Sequence, residues 1–266
     1  MIDVHCHLNF KTFADDYDVV IKRALAKGVT RIINVGTSLE SSEWAVKLAG
    51  QYDELYAIVG IHPHHADKVQ HDWIGKLEKI ASQPKVIAIG EIGMDFYEYK
   101  SNGIVDPKRQ EEVFVEQIKL AHKLNLPLQI HNRHAGEKVI EILLSHKSHL
   151  LNPPGMFHCF AATKEVLKSA LQMGFAIGFD GNVTYSGLAR GETVSLPDLA
   201  REVPLDRIVT ETDSPYLTPL PYRGSRNEPS YVIITAEFIA KLRGISFEEF
   251  EAQTDKNTHA IFPKLR

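Results

Sequence analysis

Met1-Ile2-Asp3-Val4-His5-Cys6-His7-Leu8 opens the chain, and its reading decides what the rest has to be. Ile2 and Val4 are apolar and suit a strand. His5 and His7 follow at a spacing of two. On a strand that spacing puts both imidazoles on one face and turns Cys6 to the other. Two imidazoles on one face at a strand end can share a metal ion through neutral ring nitrogens. A lone His-x-His also fits two polar residues at a strand exit. What separates these readings is whether residues elsewhere in the chain converge on the same place.

Outward from that strand, short β-branched runs alternate with longer amphipathic stretches. Strands are predicted at Ile2–His5, Arg31–Val35, Tyr56–Ile61, Val86–Glu91, Pro127–His131, Gly155–His158, Phe175–Gly178 and Ile208–Thr210. Helices are predicted at Asp16–Lys27, Ser38–Gln51, Asp72–Ser82, Pro107–Asn125, His134–Ser145, Thr163–Met173, Leu196–Glu202 and Ser230–Arg243. Two short helical pieces follow, near Ser246–Gln253 and Asp255–Phe262. Gly28 and Gly174 stop their helices, and Pro107 suits a first turn. Eight βα units in order predict an α/β fold of the TIM type, a closed parallel (β/α)8 barrel forming one domain over residues 1–266. An open doubly wound sheet is the alternative. No Gly-rich phosphate loop follows the first strand, which weighs against an open-sheet nucleotide binder. The loop-forming Asn152-Pro153-Pro154-Gly155 sits between ordinary units and marks no domain boundary.

The chain has 266 residues, 44% hydrophobic and 24% charged, enough for a large core. Its net charge of −4 excludes non-specific nucleic-acid binding driven by a basic excess. It does not exclude a nuclease, because bound metal ions supply positive charge locally. Two cysteines, Cys6 and Cys159, make no disulfide framework. No apolar run approaches the roughly 18 residues of a membrane span, and no signal segment precedes the first strand. The expectation is a cytoplasmic protein, with nothing pointing to a membrane or to an obligate protein partner.

In a barrel, catalytic groups sit at the C-terminal ends of the strands. Here those ends carry unusual polar residues. Strand one ends in His5 and His7, strand four in Glu91, strand five in His131 and strand six in His158. Strand three leads into Ile61-His62-Pro63-His64-His65, and strand eight into Glu211-Thr212-Asp213. Solvation alone does not explain four His, a Glu and an Asp at strand ends facing one mouth. His5, His7, Glu91, His131, His158 and Asp213 are therefore the expected metal ligands. Six candidates exceed the three or four ligands of one catalytic zinc and suit two divalent ions with a shared carboxylate. Mixed His and carboxylate donors suit zinc, manganese or iron, and magnesium less naturally.

At this point the chain resembles the TatD family of metal-dependent hydrolases, within the amidohydrolase-like barrels. The matching motifs are Ile2–Leu8, Gly60-Ile61-His62-Pro63-His64, Ile89–Phe96, Ile130-His131-Asn132-Arg133, Phe157-His158-Cys159-Phe160 and Glu211–Leu217, continued by Arg223–Pro229. The resemblance runs from residue 1 to about 262. It implies that His5, His7, Glu91 and Asp213 surround one ion and that Glu91, His131 and His158 hold the second, with Glu91 bridging. It also implies that His62 touches the scissile phosphate. The departures are Ala161-Ala162 in place of Ser-Gly, His134 in place of Asp, and Ala260 near an expected Arg; none touches a ligand.

Several neighbours bear on the substrate. His62 and His64 lie near the predicted mouth, with Pro63 shaping their loop. Glu211 precedes Asp213 by two and faces the same way on an extended segment, so it could orient a ligand or a water. Arg133, two residues after His131, could grip a phosphate oxygen bidentately. Arg223 and Arg226 sit in a Pro/Gly-rich loop where barrels often bind phosphate; Arg226 could instead pair with Glu228. Phe96, Tyr97 and Tyr99 could stack on bases or pack on the rim. The strand pleat is expected to turn Cys6 and Cys159 away from the centre.

The expected function is thus a dinuclear metal hydrolase of the TatD type that cleaves phosphodiester bonds in DNA. Glu91, Glu211, Asp213 and His62 form its expected catalytic group, and His62, His64, Arg133 and Arg223 its substrate contacts. Weak basicity and a recessed site favour strand ends or single strands of DNA, hence exonuclease action. A rival is a carbonyl hydrolase, such as a D-aminoacyl-tRNA deacylase or an amidohydrolase, in which the same centre polarises a carbonyl. A metal-binding scaffold without catalysis would predict a missing ligand or a blocked mouth, and all six ligands are present.

Overall fold

The computed structural model describes residues 1–100, 103–188 and 191–266. In chain order its elements are β1 (Ile2–Cys6), α1 (Tyr17–Ala26), β2 (Arg31–Val35), α2 (Leu39–Ala49), β3 (Leu55–Val59), α3 (Trp73–Ala81), β4 (Val86–Asp95) and α4 (Pro107–Leu124). There follow β5 (Leu128–Arg133), α5 (Gly136–Ser145), β6 (Gly155–Phe157), α6 (Lys164–Gln172), β7 (Ala176–Phe179), α7 (Leu196–Glu202), β8 (Ile208–Thr210), α8 (Val232–Arg243) and α9 (Phe247–Ile261). The strands form one parallel sheet in sequential order from β1 to β8. The ring closes through a single parallel bridge, Cys6 with Ser214. The amides of Asp213 and His7 bond across this seam to His5 O (2.9 Å) and Ser214 O (2.8 Å). This is the closed (β/α)8 barrel that the eight βα units imply.

Two apolar layers hold it. One fills the barrel, with Ile2, Val4, Ile33, Val35, Ile58 and Val209 among its members. Ile261, Phe262 and Leu265 join the same cluster, so the end of α9 plugs the barrel opposite the polar mouth. The second layer lies between strands and helices. The register of β1 against β2 shifts between Asp3 and Cys6. Such an irregularity re-aims side chains. Val4 stays in the barrel core, while His5 reaches Gln129 of β5 and the Cys6 thiol turns to Ile33 O.

Two elements are longer than their sequence suggests. β4 runs on past Glu91 to Asp95. Gly93 looks like a strand breaker, but it is required by closeness: a Cβ there would meet His131 O at 1.9 Å, and its φ is +147°. The two predicted C-terminal pieces are one helix, α9. Thr254, Asn257 and Thr258 are poor helix formers, yet each is buried and bonded. Thr258 Oγ1 donates to Thr254 O (2.8 Å), and the Asn257 amide bridges Leu205 O and Ile208 O (both 2.8 Å). No helix among the described residues is long and apolar enough to cross a membrane.

Candidate metal centre

Strand geometry brings all six expected ligands to one mouth. His5 comes from β1 and His7 from the residue just past its end, and each is anchored through Nδ1, to Gln129 Oε1 (2.8 Å) and Val35 O (2.9 Å). Gln129 is itself oriented by donating to Val4 O (3.0 Å). Both acceptors require a proton on Nδ1. Neither ring, when neutral, has a proton left for Nε2, yet the two Nε2 atoms face each other at 3.1 Å. Asp213 Oδ1 lies 3.6 Å from His5 Nε2 and 3.4 Å from His7 Nε2. Two lone pairs and a carboxylate oxygen converging in a buried place fit a cation.

Glu91, 4% exposed, joins this set to a second one. Its Oε2 faces His5 Nε2 (3.8 Å) and His7 Nε2 (3.9 Å). Its Oε1 faces His131 Nδ1 (2.6 Å), His158 Nε2 (3.4 Å) and His62 Nε2 (3.5 Å). The donor atoms of His5, His7 and Asp213 lie within 4.8 Å of one another, as do those of Glu91, His131 and His158. The same holds for His5, His158 and Glu211, and for His62, Asp95 and His131. One carboxylate thus turns an oxygen to each of two donor sets.

Electrostatics separates the rings. Burial, with His158 and His7 nearby, holds His5 well below the usual imidazole range, so it is neutral. Burial works the same way on His131 and His158, but carboxylates outweigh it. Glu91 and Asp95 raise His131 to about 9, and Glu211 with Glu91 raises His158 to about 10. Burial would raise Glu91, but His62, His158 and His131 hold it well below the usual carboxylate range. In the metal-free protein these protons supply the positive charge that the carboxylates require.

Asp213 has φ +53°, a left-handed conformation that non-glycine residues seldom adopt. It is held by its neighbour. Thr212 donates N–H to Asp3 Oδ1 (2.9 Å) and Oγ1–H to Asp3 Oδ2 (2.7 Å), pinning the turn to β1. Glu211, fully buried, stands behind His158: its Oε1 lies 3.2 Å from His158 Nδ1 and accepts from Cys159 N (2.5 Å). Glu211 fits only because position 178 is glycine; a Cβ there would meet Glu211 Oε1 at 2.6 Å and Met156 Cε at 2.7 Å. Gly178→Ala is therefore expected to displace Glu211 and weaken metal binding by about 10–100-fold, the range for lost ligand-orienting partners, with the circular dichroism unchanged. Unaltered zinc affinity in a zinc titration would show that Glu211 does not set the His158 ring.

The remaining candidates divide. His62 borders the centre, and its Nδ1 accepts from His64 N (3.1 Å). His64 turns onto Asp95 Oδ2 (3.0 Å) and packs edge-on against Tyr99. Arg133 and Arg223 are exposed, and neither forms an ion pair among the described residues. Arg133 lies 4.1 Å over the Tyr97 ring and donates to Tyr99 Oη (2.8 Å); Arg223 lies 4.0 Å over Tyr185. The Arg226–Glu228 pair does not form. Arg226 binds Asp16 instead, and Glu228 takes Arg23 (2.6 Å), because the fold brings α1 against this loop. Cys6 does turn away, but Cys159 lies beyond β6 at φ +44° with its thiol near Asn182, so no strand pleat sets it. Gln129 and Asp95 belong to the centre and escape the sequence reading. Asp95 carried a signal: 91, 93 and 95 share one face of an extended strand.

Comparison with known proteins adds a consistent picture. The family model described as TatD related DNase matches residues 2–263. The uncharacterized metal-dependent hydrolase YabD of Bacillus subtilis is 39% identical over 263 residues, covering 98% of each chain. The 3'-5' ssDNA/RNA exonuclease TatD of Escherichia fergusonii is 35% identical over 267 residues, again covering 98% of each. Among solved structures, the TatD homolog YjjV of Escherichia coli superposes with a TM-score of 0.88 at 29% identity, covering 99% of this chain and 98% of its own.

Proposed function

The chain belongs to the TatD-related family of metal-dependent hydrolases, and from that premise we propose that it is a two-metal phosphodiesterase acting on DNA at strand ends or on single strands. The observation that carries this reading is Glu91, with one oxygen turned to His5 and His7 and the other to His131 and His158. His5, His7, Asp213 and Glu91 would hold one divalent ion, and Glu91, His131 and His158 the other; the donors suit zinc, manganese or iron better than magnesium. When bound, such ions polarise a phosphoryl oxygen and acidify water, which is the chemistry that in-line hydrolysis of a phosphodiester needs.

The protein's own groups supply the rest. Burial holds His62 neutral, and its Nδ1 accepts a backbone proton, so the ring carries its hydrogen on Nε2, facing the centre. That hydrogen is placed to donate to an oxygen of the scissile group. Glu211 keeps His158 protonated on Nδ1 and so leaves Nε2 to face Glu91. Its second oxygen, buried and without a protein partner, can orient a water. Arg133 and Arg223, each lying on a tyrosine, suit flanking phosphates. The exonuclease name of the Escherichia fergusonii relative supports single-stranded nucleic acid as the substrate class.

The test loads the pure protein with zinc or manganese and offers 3′-labelled single-stranded DNA beside D-aminoacyl-tRNA, with a chelator control. Release of labelled mononucleotides, abolished by chelation, is the expected result. Deacylation without DNA cleavage would overturn the reading in favour of carbonyl hydrolysis. Arg223→Ala should leave metal content full. Losing one charged hydrogen bond, about 1.5–3 kcal/mol, should lower kcat/KM on DNA by roughly ten- to a hundred-and-fiftyfold at 1.4 kcal/mol per tenfold. A minimal phosphodiester without flanking phosphates should be spared. Equal losses on both substrates would place Arg223 at the scissile group, and no loss on either would remove it from the site.

A further inference from the structure

Asp95 has no place in the two ligand sets, yet both oxygens of its carboxylate are bonded. It is 1% exposed, and its backbone is clamped on both sides by Gln110 of α4: Asp95 N donates to Gln110 Oε1 (2.8 Å), and Gln110 Nε2 donates to Asp95 O (2.9 Å). Its Oδ1 accepts from Tyr97 N (2.9 Å). Its Oδ2 gathers His131 Nε2 (3.1 Å), His64 Nε2 (3.0 Å) and Tyr99 Oη (3.1 Å). Tyr99 Oη in turn accepts from Arg133 Nη1 (2.8 Å). One carboxylate oxygen therefore connects an imidazole of the centre to an exposed guanidinium.

We propose that Asp95 is a positioning residue that acts through both partners: it holds the hydrogen of His131 on Nε2, so that Nδ1 faces Glu91, and it holds the Tyr99 hydroxyl on which Arg133 rests. The first half follows from the ring. A neutral imidazole that ligates through one nitrogen carries its proton on the other, and a carboxylate at that proton fixes both tautomer and ring orientation. His131 presents Nδ1 to Glu91 at 2.6 Å, which leaves Nε2 for Asp95. The second half follows from connectivity. Freed from Asp95, the Tyr99 hydroxyl loses its acceptor, and Arg133 loses a fixed seat. Metal affinity and grip on the nucleic acid are thereby set by one group. This inference rests on the reading of Glu91, His131 and His158 as metal donors.

The experiment compares the wild type with Asp95→Asn and Tyr99→Phe. Zinc affinity is measured by competition titration, and kcat and KM on a single-stranded oligonucleotide at saturating zinc. Asp95→Asn should weaken zinc binding by about 10–100-fold without changing the number of zinc ions bound at saturation, and should raise KM. Tyr99→Phe should leave zinc affinity within about twofold while raising KM severalfold. Zinc affinity of Asp95→Asn within twofold of wild type overturns the proposal. So does loss of one zinc equivalent at saturation, which would make Asp95 a ligand of a further ion with His62 and His131. Nitrogen NMR of His131 in the unaltered zinc-loaded protein tests the tautomer whether or not the variants fold: a protonated Nε2 supports the assignment, and a protonated Nδ1 overturns it. If the wild type binds zinc in this way but does not cleave DNA, the positioning role at His131 stands and the nuclease reading fails.

Discussion

Glu91→Ala is expected to abolish high-affinity binding at both halves of the centre together and to lower kcat/KM by at least about a thousandfold, the scale on which removing a key electrostatic group acts in enzymes. The reason is the division of its oxygens between two donor sets. A ligand serving one set would leave the other at wild-type affinity. Loss of Glu91 also leaves His62, His131 and His158 without the charge they share. The fold should survive, because the barrel is held by its own apolar layer, Ile2, Val4, Ile33 and Val35 among it, and not by the mouth. Elemental analysis at limiting zinc, with circular dichroism as the control, decides the matter. Retention of the full metal content, or near-normal turnover at limiting zinc, would sink the bridging role.

The second large effect is a pH dependence of metal loading. In the metal-free protein His131 is raised to about 9 and His158 to about 10, so both rings are protonated at neutral pH. Ligation would take the lone pair of His131 Nδ1 and of His158 Nε2, and each ring would have to release one proton. His5 is already neutral and releases none. Below the lower of these values, each displaced proton makes the apparent association constant rise tenfold per pH unit. Zinc affinity should therefore climb about a hundredfold per unit from pH 6.5 to about 8.5, then flatten through about 10. Calorimetry in buffers of different ionisation enthalpy should count about two protons released per loaded chain. A flat affinity profile with no proton release would mean that these rings are neutral before metal arrives.

Strand ends were readable because the periodicity switches locally from two to 3.6, and the barrel rule then assigns every strand end to one mouth. That is enough to gather His5, His7, Glu91, His131, His158 and Asp213. Asp95 lies beyond the predicted end of the strand at Glu91, where Gly93 imitates a strand breaker. The demand for glycine at 93 comes from His131 O on the adjacent strand, a contact that no local pattern records. The Arg226–Glu228 pair, offered by the sequence as one alternative, fails for a similar reason. Glu228 is near in sequence, but Asp16, brought up by α1, is near in space. The continuity of α9 depends on Asn257 capturing two carbonyls around the start of β8. In each case the deciding partner is remote in the chain.

The seam between β1 and β8 has a further meaning for the folding of the chain. The Asp3–Thr212 clamp joins residues 209 positions apart, and the strand pairing beside it is a single bridge. Closing so long a loop costs entropy that only late, non-local contacts can offset. His5 and His7 stand on one side of that join and Asp213 on the other, so a cation held among them would also be a cross-link between the first and last strands of the barrel. Bound only by the closed ring, it would stabilise that ring by mass action, about 2.7 kcal/mol at a hundredfold excess over its dissociation constant. Metal supply would then tune how often the seam between β1 and β8 opens to proteases, independently of any turnover at the mouth, while the apolar layer holds the rest of the barrel.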